Sequence, residues 1–66
     1  MRIGDRVKTI TGQGTSAIGT IKKIEDVGPR RYGVLHAETP AGYEDTMHLY
    51  PDNIMYFFEG EVTKIQ

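Results

Sequence analysis

The segment from Gly4 to Ile21 constrains the fold of this chain more than any other feature. A strand is predicted from about Ile3 to Ile10, because in an extended chain Ile3 and Val7 share one face while Arg2, Arg6 and Lys8 share the opposite one. The small polar residues from Thr11 to Ala17 include two glycines and predict a loop. A strand, a glycine-containing loop and a second strand in so short a space indicate an all-β domain built from tight connections.

The segment that follows, Ile18 to Val27, fits two structures. Its apolar residues recur every third position, which suits a short helix as well as a bent strand. It begins near a glycine, most of its apolar residues are β-branched, and it lacks a helix-capping box. We therefore favour a bent strand with a bulge near Lys22-Lys23 and keep the short helix as the alternative.

The rest of the chain predicts further short strands separated by turns. Those strands are expected at Arg31–Glu38, Tyr43–Tyr50, Ile54–Phe58 and, as a sixth strand or edge extension, Glu61–Ile65. Turns are expected at residues 27–30, as a type I turn at residues 39–42 that joins two strands into a hairpin, and as one 3₁₀ turn at residues 51–53. The fold class predicted for residues 1–66 is a single all-β domain, a small barrel of five to six short antiparallel strands.

Composition limits the partners of such a domain. The 66 residues include eight basic and nine acidic side chains, a net charge of −1, and no cysteine. Disulfides are therefore excluded, and the chain is not a general polycation of the kind that binds phosphates everywhere on its surface. Since no apolar run reaches the length that crosses a bilayer and no signal segment is visible, we expect a soluble cytoplasmic protein without a membrane partner.

The opening segment resembles the KOW motif, the strand–loop–strand unit of some ribosomal proteins and transcription elongation factors, in SH3-like barrels. The matching positions are Gly4 and Val7, followed by Gly12, Ser16 and Gly19. Ser16 replaces the middle glycine of that motif, and the loop lacks the basic residue common in the family. The resemblance implies an SH3-like barrel and, as an alternative function, binding of RNA or of the transcription or translation machinery.

A weaker resemblance connects the chain with the type II, plasmid-encoded dihydrofolate reductases, which are SH3-like barrels assembled as tetramers around a pore. It is carried by the segments Gly4-Asp5-Arg6-Val7, Arg31-Tyr32-Gly33-Val34 and Met47-His48-Leu49-Tyr50-Pro51. It implies a ligand site in a central pore at His48, Leu49 and Tyr50. The pore glutamine of that family is replaced by His48, so the resemblance favours shared architecture and assembly over reductase activity.

Catalytic and metal chemistry find little support in the sequence. His36 and His48 are interpreted as solvent-facing strand residues, because a metal site needs three or four convergent ligands. Adjacent carboxylates on a strand point to opposite faces and form no acid/base pair. Asp5 is expected to accept hydrogen bonds from backbone amides of a neighbouring turn. We predict no catalytic residues, no metal and no cofactor.

Two surfaces are candidates for binding. The strand Ile54–Phe58 is apolar on both faces; with Tyr56 and Phe58 assigned to the core, Met55 and Phe57 are expected outside. A protein interface is therefore predicted at Met55, Phe57, Tyr50 and Tyr43. The second candidate is a basic stripe for nucleic acid, with Tyr32 as a stacking platform beside Arg6, Lys8, Lys22, Lys23, Arg30 and Arg31.

The function favoured by the sequence is a non-enzymatic binding or adaptor module that acts through a protein–protein interface and self-associates as a homo-oligomer. Binding of RNA or DNA through the basic stripe is the alternative within the binding class. The pore-forming tetramer with reductase-like ligand binding is the alternative from another class.

Overall fold

The structure is a computed structural model that describes residues 1–65. Its strands are β1 (Arg6–Ile10), β2 (Ser16–Glu25), β3 (Arg31–His36), β4 (Ile54–Phe58) and β5 (Val62–Lys64). They form one antiparallel sheet in the order β4-β3-β2-β1-β5. The only helical elements in residues 1–65 are 3₁₀ turns at Met47–Leu49, Pro51–Asn53 and Glu59–Glu61. The all-β prediction is confirmed.

The sheet curls on itself without closing. Its two edge strands, β4 and β5, follow each other in the chain and are separated only by the 3₁₀ turn Glu59–Glu61. So short a connection between opposite edges requires the sheet to roll until those edges approach. Within residues 1–65 the hydrogen-bonded ladder does not continue from β4 to β5. The architecture is compatible with a small barrel, but the barrel is open.

The inner face of the curled sheet forms the core. Val7, Ile21, Tyr32 and Val34 are fully buried there, and the pairing of β3 with β4 adds two more side chains. The buried cluster consists of Val7, Ile21, Tyr32, Val34, Met55, Phe57 and Val62. The alternation predicted for β1 is therefore confirmed, with Val7 inside. β3 places Tyr32 and Val34 inside in the same way.

The uncertain segment after Ile18 is a bent strand, as favoured. β2 runs for ten residues from Ser16 to Glu25, and its pairing with β3 shifts register between Ile21 and Lys23. That shift is the predicted bulge, and it leaves Lys22 as the extra residue. β1 begins only at Arg6, because the chain turns at Gly4, where φ is +97°.

The predicted hairpin between Arg31–Glu38 and Tyr43–Tyr50 is wrong. The partner of β3 is β4, and residues 43–50 form consecutive turns ending in the 3₁₀ turn Met47–Leu49. The side chains that pack on the core are Tyr43, Met47 and Tyr50, at a spacing of four and then three residues. That spacing is helical rather than strand-like, and it is why the segment curls over the core. The 3₁₀ turn predicted at residues 51–53 is confirmed.

Candidate binding surface

The outer face of the sheet carries the candidate site. Ladder pairing aligns its side chains in rows across the strands, because paired residues share a face. One row joins Arg6, Thr20 and Leu35 through their pairings, and the next joins Lys23 to Gly33. The face is exposed at Arg6, Lys8, Ile18, Lys22, Lys23, Arg31 and Leu35.

Most of the predicted basic stripe lies on this one face. Arg6 and Lys8 alternate with buried residues on β1, so both point outward. The bulge turns both Lys22 and Lys23 outward, whereas a regular strand would have sent one of them into the core. None of these four side chains has a carboxylate within 4.0 Å in residues 1–65. We call these four residues, Arg6, Lys8, Lys22 and Lys23, the basic surface.

The two arginines of the stripe have acidic partners. Arg30 donates to Asp26 through Nε at 2.8 Å, a pairing that lowers the pKa of the Asp26 carboxyl and raises that of the guanidinium. Arg31 pairs with Glu25 directly across the β2–β3 ladder. Arg30 belongs to the turn before β3, whereas Arg31 remains on the outer face next to the basic surface.

Aromatic side chains lie at the end of the same face. The Arg31 guanidinium lies 5.2 Å from the centre of the Tyr56 ring, a cation–π distance. Phe58 pairs with Arg31 across the ladder and is 53% exposed. A Cβ on Gly33 would lie 3.0 Å from Tyr56 Cε2 and 2.9 Å from Ile54 Cγ2. Because Gly33 has no side chain, the outward-facing Ile54 and Tyr56 of β4 can pack over its backbone.

The prediction that Met55 and Phe57 face outward, with Tyr56 and Phe58 in the core, is wrong. The ladder pairs Tyr32 with Phe57 and Val34 with Met55. Met55 and Phe57 therefore share the inner face, and each is 4% exposed. The outward pair is therefore Tyr56 and Phe58. A glycine on the neighbouring strand was the signal available in the sequence, because outward aromatics pack well over such a gap.

Tyr32 is likewise unavailable as a stacking platform. Its side chain is fully buried, and its hydroxyl donates to Glu59 Oε1 at 3.3 Å. Tyr43 and Tyr50, the other predicted interface residues, are half-buried against the core. Residues 47–51, the segment that resembles the reductase pore, lie in the 3₁₀ turn Met47–Leu49 and at the start of the next one, with His48 and Leu49 exposed.

Two adjoining grooves run along the outer face over Ile18. They have volumes of about 500 and 390 Å³ and share Arg6, Ile18 and Ala37 in their walls. Glu38 and Glu44 line the first groove, and Lys22 lines the second. The acidic residues therefore border the basic surface at its end farthest from Phe58.

His36 is only partly accessible, which corrects its interpretation as a solvent-facing residue. Its Nε2 lies 2.7 Å from Thr9 Oγ1, and its ring meets Phe57 edge-on at 5.6 Å between centroids. Desolvation lowers the pKa of His36. Residues 1–65 contain no group of three or more His, Cys, Asp or Glu side chains able to hold a metal ion. Asp5 behaves as predicted, since its Oδ2 accepts from the Arg2 amide at 2.9 Å.

Comparison with known proteins adds no relative. No family model, no curated protein and no solved structure matches the chain. Among residues 1–65, none of the helical turns approaches the length and apolar character of a membrane span.

Proposed function

We propose that this chain is a non-catalytic binding module that holds a nucleic acid on the outer face of its sheet. The observation that carries the proposal is the basic surface, four cations gathered on one face without a carboxylate partner in residues 1–65. Cations held apart from acids attract a polyanion, and they gain affinity by releasing its counterions. The net charge of −1 does not oppose this, because what matters is the charge on one face.

The fold supports the same proposal. An open, curled sheet of five antiparallel strands is compatible with an SH3-like barrel, and the KOW-like spacing of Gly12, Ser16 and Gly19 lies in its first two strands and their loop. Gly19 has a structural reason of its own. A Cβ there would lie 2.7 Å from the Leu35 carbonyl oxygen, so the residue allows β2 and β3 to approach closely. The RNA-binding alternative from the sequence is therefore the function we favour over a side-chain interface at Met55 and Phe57.

The test is a fluorescence-anisotropy titration with labelled single-stranded and duplex oligonucleotides at several salt concentrations. We expect binding that weakens with salt, and a Lys8→Gln/Lys23→Gln variant should reduce the slope of log affinity against log salt by roughly 0.7 to 0.9 per lysine. The matched control is Arg30→Gln/Lys64→Gln, which removes the same charge from side chains already near Asp26 and Asp5. Absence of binding at low salt, or equal loss in both variants, contradicts the proposal.

A second candidate function is self-association through the edge of β4. This strand is a five-residue edge without charge or proline, the type of edge that pairs with another chain. By contrast, β5 is three residues long and contains Lys64. Two copies paired antiparallel about Tyr56 would continue the sheet from one molecule into the other.

Sedimentation over a range of concentrations tests the second candidate. A dimer is expected, and Tyr56→Lys should dissociate it by placing like charges opposite each other across the edges. Thr20→Lys is the matched control, because it adds the same charge to the outer face of a central strand. A monomer at every concentration, or dissociation by both variants, argues against the β4 edge.

A further inference from the structure

We propose that the nucleic acid bound by this face is single-stranded and that Phe58 is the platform on which one of its bases stacks. This inference rests on the proposed function. It assigns to Phe58 the role that the sequence suggested for Tyr32, which is fully buried in the core.

Phe58 is exposed in the right place for this role. It is 53% accessible, faces outward from an edge strand, and pairs with Arg31 at the end of the face away from the groove that Glu38 and Glu44 line. An exposed aromatic ring beside cations is the combination by which proteins bind single strands, since every base offers a π-face to the ring and phosphates to the cations.

The neighbours of Phe58 are held in position before any ligand arrives. Glu25 binds the Arg31 guanidinium from β2, and the Tyr56 ring lies against that guanidinium at 5.2 Å. Tyr56 itself is seated over Gly33. The guanidinium fixed in this way belongs to the ladder partner of Phe58, and it offers a second surface for stacking at little cost in side-chain entropy.

The shape of the face favours a single strand over a duplex. Neighbouring strands lie about 4.8 Å apart, so the three intervals from β1 to β4 span about 14 Å, which exceeds the roughly 12 Å width of the major groove of DNA. A four-stranded face therefore does not fit that groove as a two-stranded ribbon does. Bases in a duplex are already stacked on each other, and a ring lying on the sheet surface reaches only a base that is free of its neighbours.

The basic surface provides a path that leads to Phe58. Each step of two residues along a strand advances about 7 Å, and each strand crossed adds about 5 Å. Measured along the surface of the curled sheet, Lys23 is about 12 Å from Phe58, one row and two strands away, and Lys8 is about 25 Å away. A path of this length suits the smallest sites of single-strand-binding domains, about four nucleotides.

The chain contains no tryptophan, so Phe58→Trp introduces a single tryptophan at the platform, whose fluorescence can be excited selectively over that of the four tyrosines. We expect this variant to bind a short oligothymidine and its fluorescence to be quenched as the base stacks. Leu49→Trp, placed on the exposed 3₁₀ turn Met47–Leu49, is the matched control and should show no quenching. Phe58→Leu should lower the affinity for the single strand about 5- to 150-fold while the circular dichroism spectrum stays unchanged.

The outcomes separate this inference from the proposed function. Binding without quenching at Phe58→Trp, binding unaffected by Phe58→Leu, or equal affinity for the complementary duplex overturns the single-strand platform and leaves the nucleic-acid function standing. Failure of every oligonucleotide to bind the native chain at low salt overturns both.

Discussion

Phe57 and Phe58 are adjacent in the chain but belong to opposite faces of the sheet. Phe57 is 4% exposed and pairs with Tyr32 in the core, whereas Phe58 is 53% exposed and pairs with Arg31 outside. Their chemistry is identical, so the difference comes entirely from the register of β4 against β3. The comparison shows that in this domain hydrophobicity selects the strands, while pairing decides which apolar residues form the core and which remain available for binding.

Truncating each phenylalanine tests this comparison with the largest expected effect. Phe57→Ala removes a buried ring and should lower the free energy of unfolding by about 3–5 kcal/mol, enough to unfold much of so small a domain. Phe58→Ala lies on the surface and should cost about 0.5 kcal/mol or less. Urea denaturation followed by circular dichroism measures both. Similar losses for the two variants would mean that the faces are not distinguished as the structure describes.

Gly19 on β2 and Gly33 on β3 are both buried, but a side chain added at each would meet different kinds of atoms. A Cβ at Gly19 would meet the Leu35 carbonyl oxygen at 2.7 Å and Val34 Cγ1 at 2.6 Å, so the backbone of β3 would have to move. At Gly33 the contacts are with side chains, including Tyr56 Cε2 at 3.0 Å. Neither residue has a positive φ, so close packing alone explains the glycine.

We therefore expect Gly19→Ala to destabilise the domain by about 3 kcal/mol and Gly33→Ala by about 1 kcal/mol, the two ends of the usual range for overpacking. Thermal unfolding of both variants provides the measurement. Since Gly33→Ala also displaces the Tyr56 ring, the contact between this ring and the Arg31 guanidinium should weaken. The pairing of β2 with β3 should be retained. A larger loss for Gly33→Ala than for Gly19→Ala would reverse the roles that we assign to the two positions.

The sequence predicted the elements whose signals are local. Alternation in β1 and the glycine-containing loop after Ile10 identified the first two strands, and the bulge at Lys22-Lys23 was found because its apolar spacing fits no regular strand. Most of the basic stripe followed from the same local patterns. These features depend on neighbours in the chain, and no tertiary contact overrides them.

The errors lie where long-range pairing decides. Residues 37–53 separate β3 from its partner, so no turn motif indicates that β4, rather than the segment Tyr43–Tyr50, continues the sheet. Tyr43, Met47 and Tyr50 recur every three to four residues, which is a helical spacing. The alternation of neighbouring residues in the same segment favoured a strand instead. The face of β4 depended on the same unknown partner. A candidate site placed on that strand was therefore assigned to the wrong side chains.

The pH dependence of stability tests the inner face through His36, and its expected effect is the smallest of the three predictions. Thr9 Oγ1 lies 3.3 Å from the Ala17 carbonyl oxygen and 2.7 Å from His36 Nε2. When the hydroxyl donates to the carbonyl, it accepts from His36 Nε2–H, which leaves Nδ1 of the neutral ring without a hydrogen. That Nδ1 is buried without a partner in residues 1–65. The side chains that contact the ring from other strands, Thr9 and Phe57, do not titrate. Protonation would therefore add a buried N–H without an acceptor, and desolvation lowers the pKa of His36 in the folded chain.

The sign of the resulting pH dependence follows from proton binding. With an unfolded-state pKa of about 6.5, the unfolded chain takes up a proton at His36 before the folded chain does. Stability is therefore highest above about pH 6.5 and falls on acidification until the folded imidazole is protonated as well. When the pH is lowered from about 7.5 to about 5.5, the urea midpoint of the native chain should decrease. The decrease should be smaller in His36→Gln. His48→Gln, on the exposed 3₁₀ turn, should behave like the native chain. If the urea midpoint of His36→Gln decreases as much as that of the native chain, burial on the inner face does not keep His36 neutral. The inner and outer faces would then differ only in how their side chains pack.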